Sequence, residues 1–208
     1  MMPRKKPIFD NFFPYHISAR CHNKEWFRLD IDKVWSVTSD YLFFLHHAYE
    51  VKIHSFVLMN NHFHLIAHFP EGNISSAMNY FMRETSRVIN FESNKINQVY
   101  GGPYHKSLIT NPLYYLHAYK YVYRNPVEAG LAAKVEDYPL STLPFKLGKA
   151  FSIIPIACDD TLSEDMESTL HWLNTAPDIS DKISVTKALS HPVFKIPEKS
   201  QDLNVRRY

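Results

Sequence analysis

Two apolar, β-rich runs, residues 51–59 and 62–69, are separated by only Asn60 and Asn61. A two-residue link is too short for a crossover, so the runs can pair only as an antiparallel hairpin. Both asparagines tolerate positive φ, as a tight turn of this length requires. In the second run His62 and His64 alternate with Phe63, Leu65, Ala67 and Phe69, and residues i and i+2 of a strand share a face. The hairpin should therefore present two imidazoles side by side next to a rigid turn, an arrangement that suits two ligands of one divalent ion. His-x-His pairs also occur in ordinary strands, and the chain has 12 histidines, so spacing alone leaves metal binding and plain strand packing both open.

The flanking segments supply partners for that hairpin. Tyr15, Ile17 and Ala19 alternate with His16, Ser18 and Arg20, which predicts a first strand with one polar face. Residues 32–49 carry Val34, Val37, Tyr41, Phe44, Leu45 and Ala48 at helical spacing. After the hairpin, residues 73–92 repeat the pattern with Ile74, Ala77, Met78, Phe81, Thr85, Val88 and Ile89, and Asn73 is placed to cap the helix. Gly101-Gly102 then breaks the chain before a fourth strand over residues 103–109. Asn111-Pro112 opens a further helix, expected to run over residues 113–124 and to stop or kink at Asn125-Pro126. Residues 127–131 should start a new helical turn. This order of strand, helix, strand, strand, helix, strand, helix predicts an α+β fold, a ferredoxin-like antiparallel sheet with packed helices.

Beyond Tyr138 the periodicity fades and Pro139, Pro144 and Pro155 punctuate the chain. We place a boundary between residues 1–145 and 146–208, the latter a linker and a small helical C-terminal appendage. Thr161 with Glu164 gives a capping-box signal ahead of Met166, Leu170 and Leu173, and a second short helix is expected over residues 184–189. The polar end, residues 197–208 with Arg206-Arg207, is expected to lack fixed structure, as is the basic Arg4-Lys5-Lys6 arm.

Composition narrows the function classes. A net charge of +2 is too mild to mark the whole surface for nucleic acid, so phosphate contacts must come from local clusters. Cys21 and Cys158 form no metal-binding pattern and predict reduced thiols in a cytoplasmic setting. The longest apolar run, residues 41–45, is far shorter than the roughly 20 residues a membrane span needs, and the basic, aromatic start does not read as a secretory signal.

The tyrosine-rich helix can complete a site. Tyr121 and Asn125 are four residues apart, one above the other on a helix face. If that face covers the strand of His62 and His64, Asn125 offers an oxygen as third ligand and Tyr121 a nucleophile beside the ion. Two imidazoles and a hard oxygen with open positions fit Mg²⁺ or Mn²⁺, although Zn²⁺ or Ni²⁺ could bind in vitro. Tyrosine stripes also pack in cores, and an Asn before Pro also ends helices.

Three segments together resemble a known family: Pro14-Tyr15-His16-Ile17-Ser18-Ala19-Arg20, Met59-Asn60-Asn61-His62-Phe63-His64-Leu65-Ile66, and Lys120-Tyr121-Val122-Tyr123-Arg124-Asn125-Pro126-Val127-Glu128-Ala129-Gly130-Leu131. Their order and spacing resemble the REP-associated tyrosine transposases, relatives of the IS200/IS605 transposases and of the HUH single-strand nucleases. The resemblance covers roughly residues 10–140 and makes residues 1–145 the catalytic domain. It departs at Cys21, where a glycine is common, and at Gly102-Pro103, where a glycine-basic pair is common.

The resemblance implies a ferredoxin-like fold, metal ligands at His62, His64 and Asn125, and one nucleophilic tyrosine, Tyr121. It implies cleavage and joining of single-stranded DNA bearing hairpins of REP type, through a 5′-phosphotyrosine link. Arg20, Arg83, Arg87 and Lys106 are candidate DNA contacts. The alternative is a catalytically silent hairpin DNA- or RNA-binding protein descended from such a transposase. A hydrolase of small phosphoesters is a third class, one with no use for a helix-borne tyrosine. A monomer is expected, with a dimer as the other state, and no membrane partner.

Overall fold

The computed structural model describes residues 10–96, 98–158 and 165–196. The Thr161–Glu164 capping signal and both basic termini lie outside them. Four strands, β1 (Tyr15–Arg20), β2 (Lys52–Met59), β3 (His62–His68) and β4 (His105–Leu108), form one sheet of order β2-β3-β1-β4, every neighbouring pair antiparallel. With α1 (Ile31–Tyr49) between β1 and β2, and α2 (Ile74–Glu92) between β3 and β4, this is the expected α+β, ferredoxin-like arrangement.

Alternation along β3 decides what each face carries. Phe63 packs on Phe56 and on Phe81 of α2, while Trp35 of α1 stacks on Phe56, so α1 and α2 cover that face. The opposite face meets α3 (Pro112–Glu128) through Tyr121 against His64 and Tyr115 against His54. A bulge between Ile53 and Ser55 shifts the β2 register there.

Helix α1 buries Val34, Thr38, Leu42 and Leu45. The expected stripe was rotated: Phe44 is 40% exposed, stacked on Tyr80 of α2. The segment has more apolar residues than one face can bury, and the surplus packs sideways between the two helices.

Three local expectations are corrected. Neither Asn60 nor Asn61 is among the residues with positive φ. Their turn is held from outside, Cys21 N–H donating to Asn61 O (2.8 Å) and Phe27 N–H to Asn60 O (2.9 Å). Asn73 stands at the N-cap of α2 without a capping bond; its side chain donates instead to Tyr49 O at the end of α1. Helix α3 continues through Pro126 to Glu128 and ends before Gly130 at φ 70°, so no separate turn follows. Pro126 is buried, and packing overrides its helix-ending tendency only two residues from the C-terminus.

Past residue 138 the chain lines both sheet edges. Val57 bridges Ser141 and Ile53 bridges Ile156 along β2, while Leu108 of β4 bridges Val193. Edge strands left open are templates for unwanted pairing, and these are covered. A short helix α4 (Leu143–Lys146) follows the first edge contact, and α5 (Met166–Asn174) and α6 (Ile179–Leu189) lie against α3. Asp165 caps α5, accepting from Glu167 N–H, and α6 begins five residues before the expected helix. Leu173, Val185, Leu189, Phe194 and Ile196 belong to the same buried core as the sheet. The division at residue 145 is a matter of folding energetics, measured by the truncation argued in the Discussion. Cys21 is buried and Cys158 exposed, both as free thiols. Among the described residues no helix is long and apolar enough to cross a membrane.

Candidate functional site

The site lies on the sheet face covered by α3. Strand pairing sets Arg20 opposite His62 and Ser18 opposite both His64 and His105, so these side chains share one face. The His62 and His64 ring centroids are 4.9 Å apart and nearly perpendicular. Both imidazoles border an open cleft of about 530 Å³, together with Arg20, Asn23, Lys24 and His105.

His16 joins them. The residue is 2% exposed, its ring is stacked on His64 at 5.1 Å, and its Nε2 lies 2.9 Å from His64 Nδ1. His62 Nδ1 lies 2.6 Å from Asn61 Oδ1. His64 Nε2 is buried with no hydrogen-bond partner.

Burial, reinforced by the neighbouring His105, lowers His16 to about 3. Burial and then Arg20 lower His62 to about 4. His64 is held well below its ordinary value by burial and then by His16, His62 and Arg20. All three are thus neutral at neutral pH, the form in which imidazole ligates a metal.

This burial has a measurable consequence. Between pH 6.5 and these lowered values the unfolded chain binds protons that the folded chain does not, so stability rises with pH. The contribution is complete above about pH 6.5 and is lost as pH falls toward 4 and then 3. Each such histidine adds up to about 1.4 kcal/mol per pH unit. We expect the melting temperature to fall steadily on acidification from pH 6.5 to 4. A flat profile over that range would show that the imidazoles are accessible to protons in the folded state.

The tyrosine helix sorts its residues by burial. Tyr115, Tyr119 and Tyr123 are at most 5% exposed, and Tyr123 is hydrogen-bonded to Thr142 Oγ1 at 2.9 Å. Tyr114 packs on Phe194. Tyr121 alone among them stands edge-on to both histidines, 5.5 Å from His64 and 6.0 Å from His16. Burial raises its phenol, while hydrogen bonds from Thr186 of α6 and from Asn125, and the charges of Arg20 and Lys182, pull it back down. Asn125 Nδ2 donates to Tyr121 O at 2.7 Å. The amide's carbonyl oxygen is its remaining acceptor.

The donor set suits a divalent ion. Among the described residues no three His, Cys, Asp or Glu side chains form a metal cluster. Two neutral imidazoles, one with a buried unpartnered Nε2, therefore need an oxygen donor, and Asn125 Oδ1 or a substrate phosphate is of the right kind.

Of the four candidate DNA contacts, only Arg20 borders the cleft. Lys106 pairs with Ile17 and lies over the Tyr15 ring, on the other face of the sheet. Arg83 and Arg87 are on α2, also on that face, and both are ion-paired to Glu84, at 2.8 and 2.7 Å. Their shared helix face exists, but it does not look toward the histidines.

Three members of the site were not singled out from the sequence. His16 was visible on the polar face of β1; it pairs with Ile66, two residues along from His64 on the same face. His105 is tied through Nε2 to Leu189 O at 2.7 Å. Thr186 carries no sequence signal, since its approach to Tyr121 depends on how α6 docks.

Residues 14–110 match the family described as transposase, IS200-like. Among solved structures, the REP-associated tyrosine transposase bound to a REP hairpin superposes with a TM-score of 0.62 at 17% identity, over 79% of this chain and 96% of that one. The comparison with curated proteins found no match. Residues 14–110 are thus similar in sequence to the IS200-like transposases, and the chain has the fold of the REP-associated tyrosine transposase.

Proposed function

We propose that the protein is a divalent-metal-dependent, single-stranded DNA nuclease and strand transferase that acts on hairpin DNA through Tyr121. The observation that carries this reading is the meeting of Tyr121 with His64 on one sheet face, ring centroids 5.5 Å apart, from segments 57 residues apart in sequence. Nothing in packing alone requires a phenol beside a neutral, unpartnered imidazole nitrogen. The related structure's REP hairpin supports hairpin DNA as the substrate class.

His62, His64 and the Asn125 amide oxygen would hold Mg²⁺ or Mn²⁺, whose chemistry when bound is to polarise a phosphate and stabilise charge on a leaving oxygen. Arg20, on the cleft rim, adds positive charge where a DNA backbone would enter. The Tyr121 oxygen attacks the scissile phosphorus in line as its proton passes to solvent. The bond from phosphorus to the 3′ oxygen breaks, and that oxygen takes up a proton. The products are a 5′-phosphotyrosine and a free 3′ hydroxyl. Because the link keeps the phosphodiester energy, a second 3′ hydroxyl can reverse the attack and be joined without ATP.

The test is cleavage of labelled hairpin strands in Mg²⁺ or Mn²⁺. His62→Ala and His64→Ala should each lower the rate more than about 100-fold, beyond the 10–100-fold typical of losing an outer-shell partner. Asn125→Ala should cost about 10-fold, since water can replace an amide oxygen as a ligand. Cleavage by His64→Ala at the normal rate would remove the histidines from the mechanism.

A further inference from the structure

Metal-ligating histidines need their second nitrogen held, because a neutral imidazole ligates only through the nitrogen that lacks hydrogen. We propose that Asn61 and His16 are the positioning residues of this site: they accept Nδ1–H from His62 and His64 respectively, leaving both Nε2 atoms as bare acceptors. At His62 hydrogen-bond geometry alone fixes the direction; at His64 the direction rests on the metal reading above.

For His62 the direction follows from a chain of bonds. Asn61 Nδ2 donates to Lys24 O at 2.9 Å, and a carbonyl can only accept. The amide's nitrogen therefore faces Lys24 and its oxygen faces His62 Nδ1, 2.6 Å away. Since that oxygen also can only accept, His62 Nδ1 carries the hydrogen and Nε2 does not. The far end of the chain is itself fixed, since Asn23 and Lys24 are held in the left-handed region at φ 54° and 60°, which non-glycine residues enter only when their surroundings impose it. The backbone N–H of Cys21 clasps the same turn through Asn61 O.

For His64 the partner is another imidazole, so one ring donates and the other accepts across the 2.9 Å contact. Donation by His64 leaves its buried Nε2 as a lone pair, beside the lone pair of His62 on a ring 4.9 Å away. Donation by His16 would instead put a hydrogen on His64 Nε2 and leave His16 Nδ1 bare; both atoms are buried without an acceptor, so each arrangement leaves one N–H unpaired. Only the first arrangement leaves His64 a lone pair with which to ligate a metal beside His62, and it is this use of the ring that selects it. His16 then does for His64 what a carboxylate or backbone carbonyl does in other metal sites. Its 2% exposure keeps water from competing for the Nδ1 hydrogen.

The experiment is imidazole ¹⁵N NMR on the full chain, which reports which ring nitrogen is protonated, paired with Co²⁺ titration of the same samples. Wild type should show Nδ1–H on both His62 and His64. Asn61→Ala and His16→Leu should each weaken Co²⁺ binding about 10–100-fold and mix the tautomer of their own histidine alone. Asn61→Gln, which keeps both the amide donor and the acceptor oxygen, and His16→Gln, which keeps an acceptor oxygen, should recover most of the affinity, a rescue that a merely structural role does not produce. Should His16→Leu fail to fold, Asn61→Ala at the turn carries the test. Nε2–H on either histidine of the wild type, or unchanged Co²⁺ affinity in folded Asn61→Ala, overturns the proposal. If the wild type binds neither Co²⁺ nor Mn²⁺ while both tautomers are Nδ1–H, the positioning assignment stands and the metal reading falls.

Discussion

Tyr121→Phe is expected to bind hairpin DNA nearly as the wild type does and to form no covalent adduct with it. The substitution removes one oxygen from a half-buried ring and leaves the contacts of that ring with His16 and His64 in place. Its cost to stability is the loss of hydrogen bonding with Thr186 and Asn125, about 1 kcal/mol. Its cost to chemistry is total, because phenylalanine has nothing to attack with. Burial raises the Tyr121 phenol above its ordinary value of 10.0, so the free hydroxyl is protonated at neutral pH and must lose its proton as the substrate and cation engage. The hydroxyl must also part from Thr186 to reach a phosphate. Tyr119→Phe and Tyr123→Phe serve as controls: both rings are 1% exposed, away from the histidines, and both variants should still form the adduct. The measurement is an adduct assay on 5′- and 3′-labelled single strands with peptide mapping of the linked residue. An adduct on another tyrosine, or cleavage by Tyr121→Phe with ordinary hydrolytic ends, would overturn the assignment and favour a hydrolase.

How far the molecule could be read in advance depended on the range of the interactions involved. The sheet and its helices were legible because strand alternation and helical spacing are local: His62–His68 and Ile74–Glu92 fall within one residue of where their patterns begin. Tyr121 and Asn125 were legible as a pair for the same reason, being one helical turn apart. Which of the several aromatic residues of α1 would be buried was not, because Tyr41 and Phe44 were free to pack on Tyr80 of a helix not yet placed. The role of His16 escaped notice because it depends on register between β1 and β3, a relation no single segment encodes. Arg83, Arg87 and Lys106 looked like DNA contacts on charge alone. Their orientation follows from which sheet face α2 and the even positions of β4 occupy, and that is settled by the whole fold.

Removal of residues 148–208 is expected to leave a fragment that is destabilised by many degrees or does not hold a unique fold. The sequence suggested an appendage resting on an independent domain, and the packing gives reasons for a larger effect. Leu173 and Phe194 are fully buried and Leu189 and Ile196 nearly so, and each large apolar side chain taken from water is worth about 1.5–3 kcal/mol. Their loss also uncovers what they cover. Leu108 of β4 would lose both backbone bonds of its outer edge, the donor to Pro192 O and the acceptor of Phe194 N–H. Arg124, 6% exposed, donates through Nη1 to Leu173 O and Asn174 O at 3.0 and 2.8 Å, and both carbonyls would go. A guanidinium stripped of its acceptors in a buried place costs several kcal/mol, although Glu128 remains to it at 2.7 Å. Together these terms rival the 5–15 kcal/mol by which whole domains are stable. At about 2–4 °C per kcal/mol for a chain of this size, a drop of more than 10 °C follows even if most of the loss is relieved by relaxation. The test compares thermal unfolding and near-UV circular dichroism of the full chain and of residues 1–147. A fragment that melts with the full chain's midpoint and cooperativity would establish residues 1–145 as a self-sufficient domain; a fragment that keeps helical signal but loses its aromatic signature would show that the C-terminal segment completes the core around the tyrosine helix.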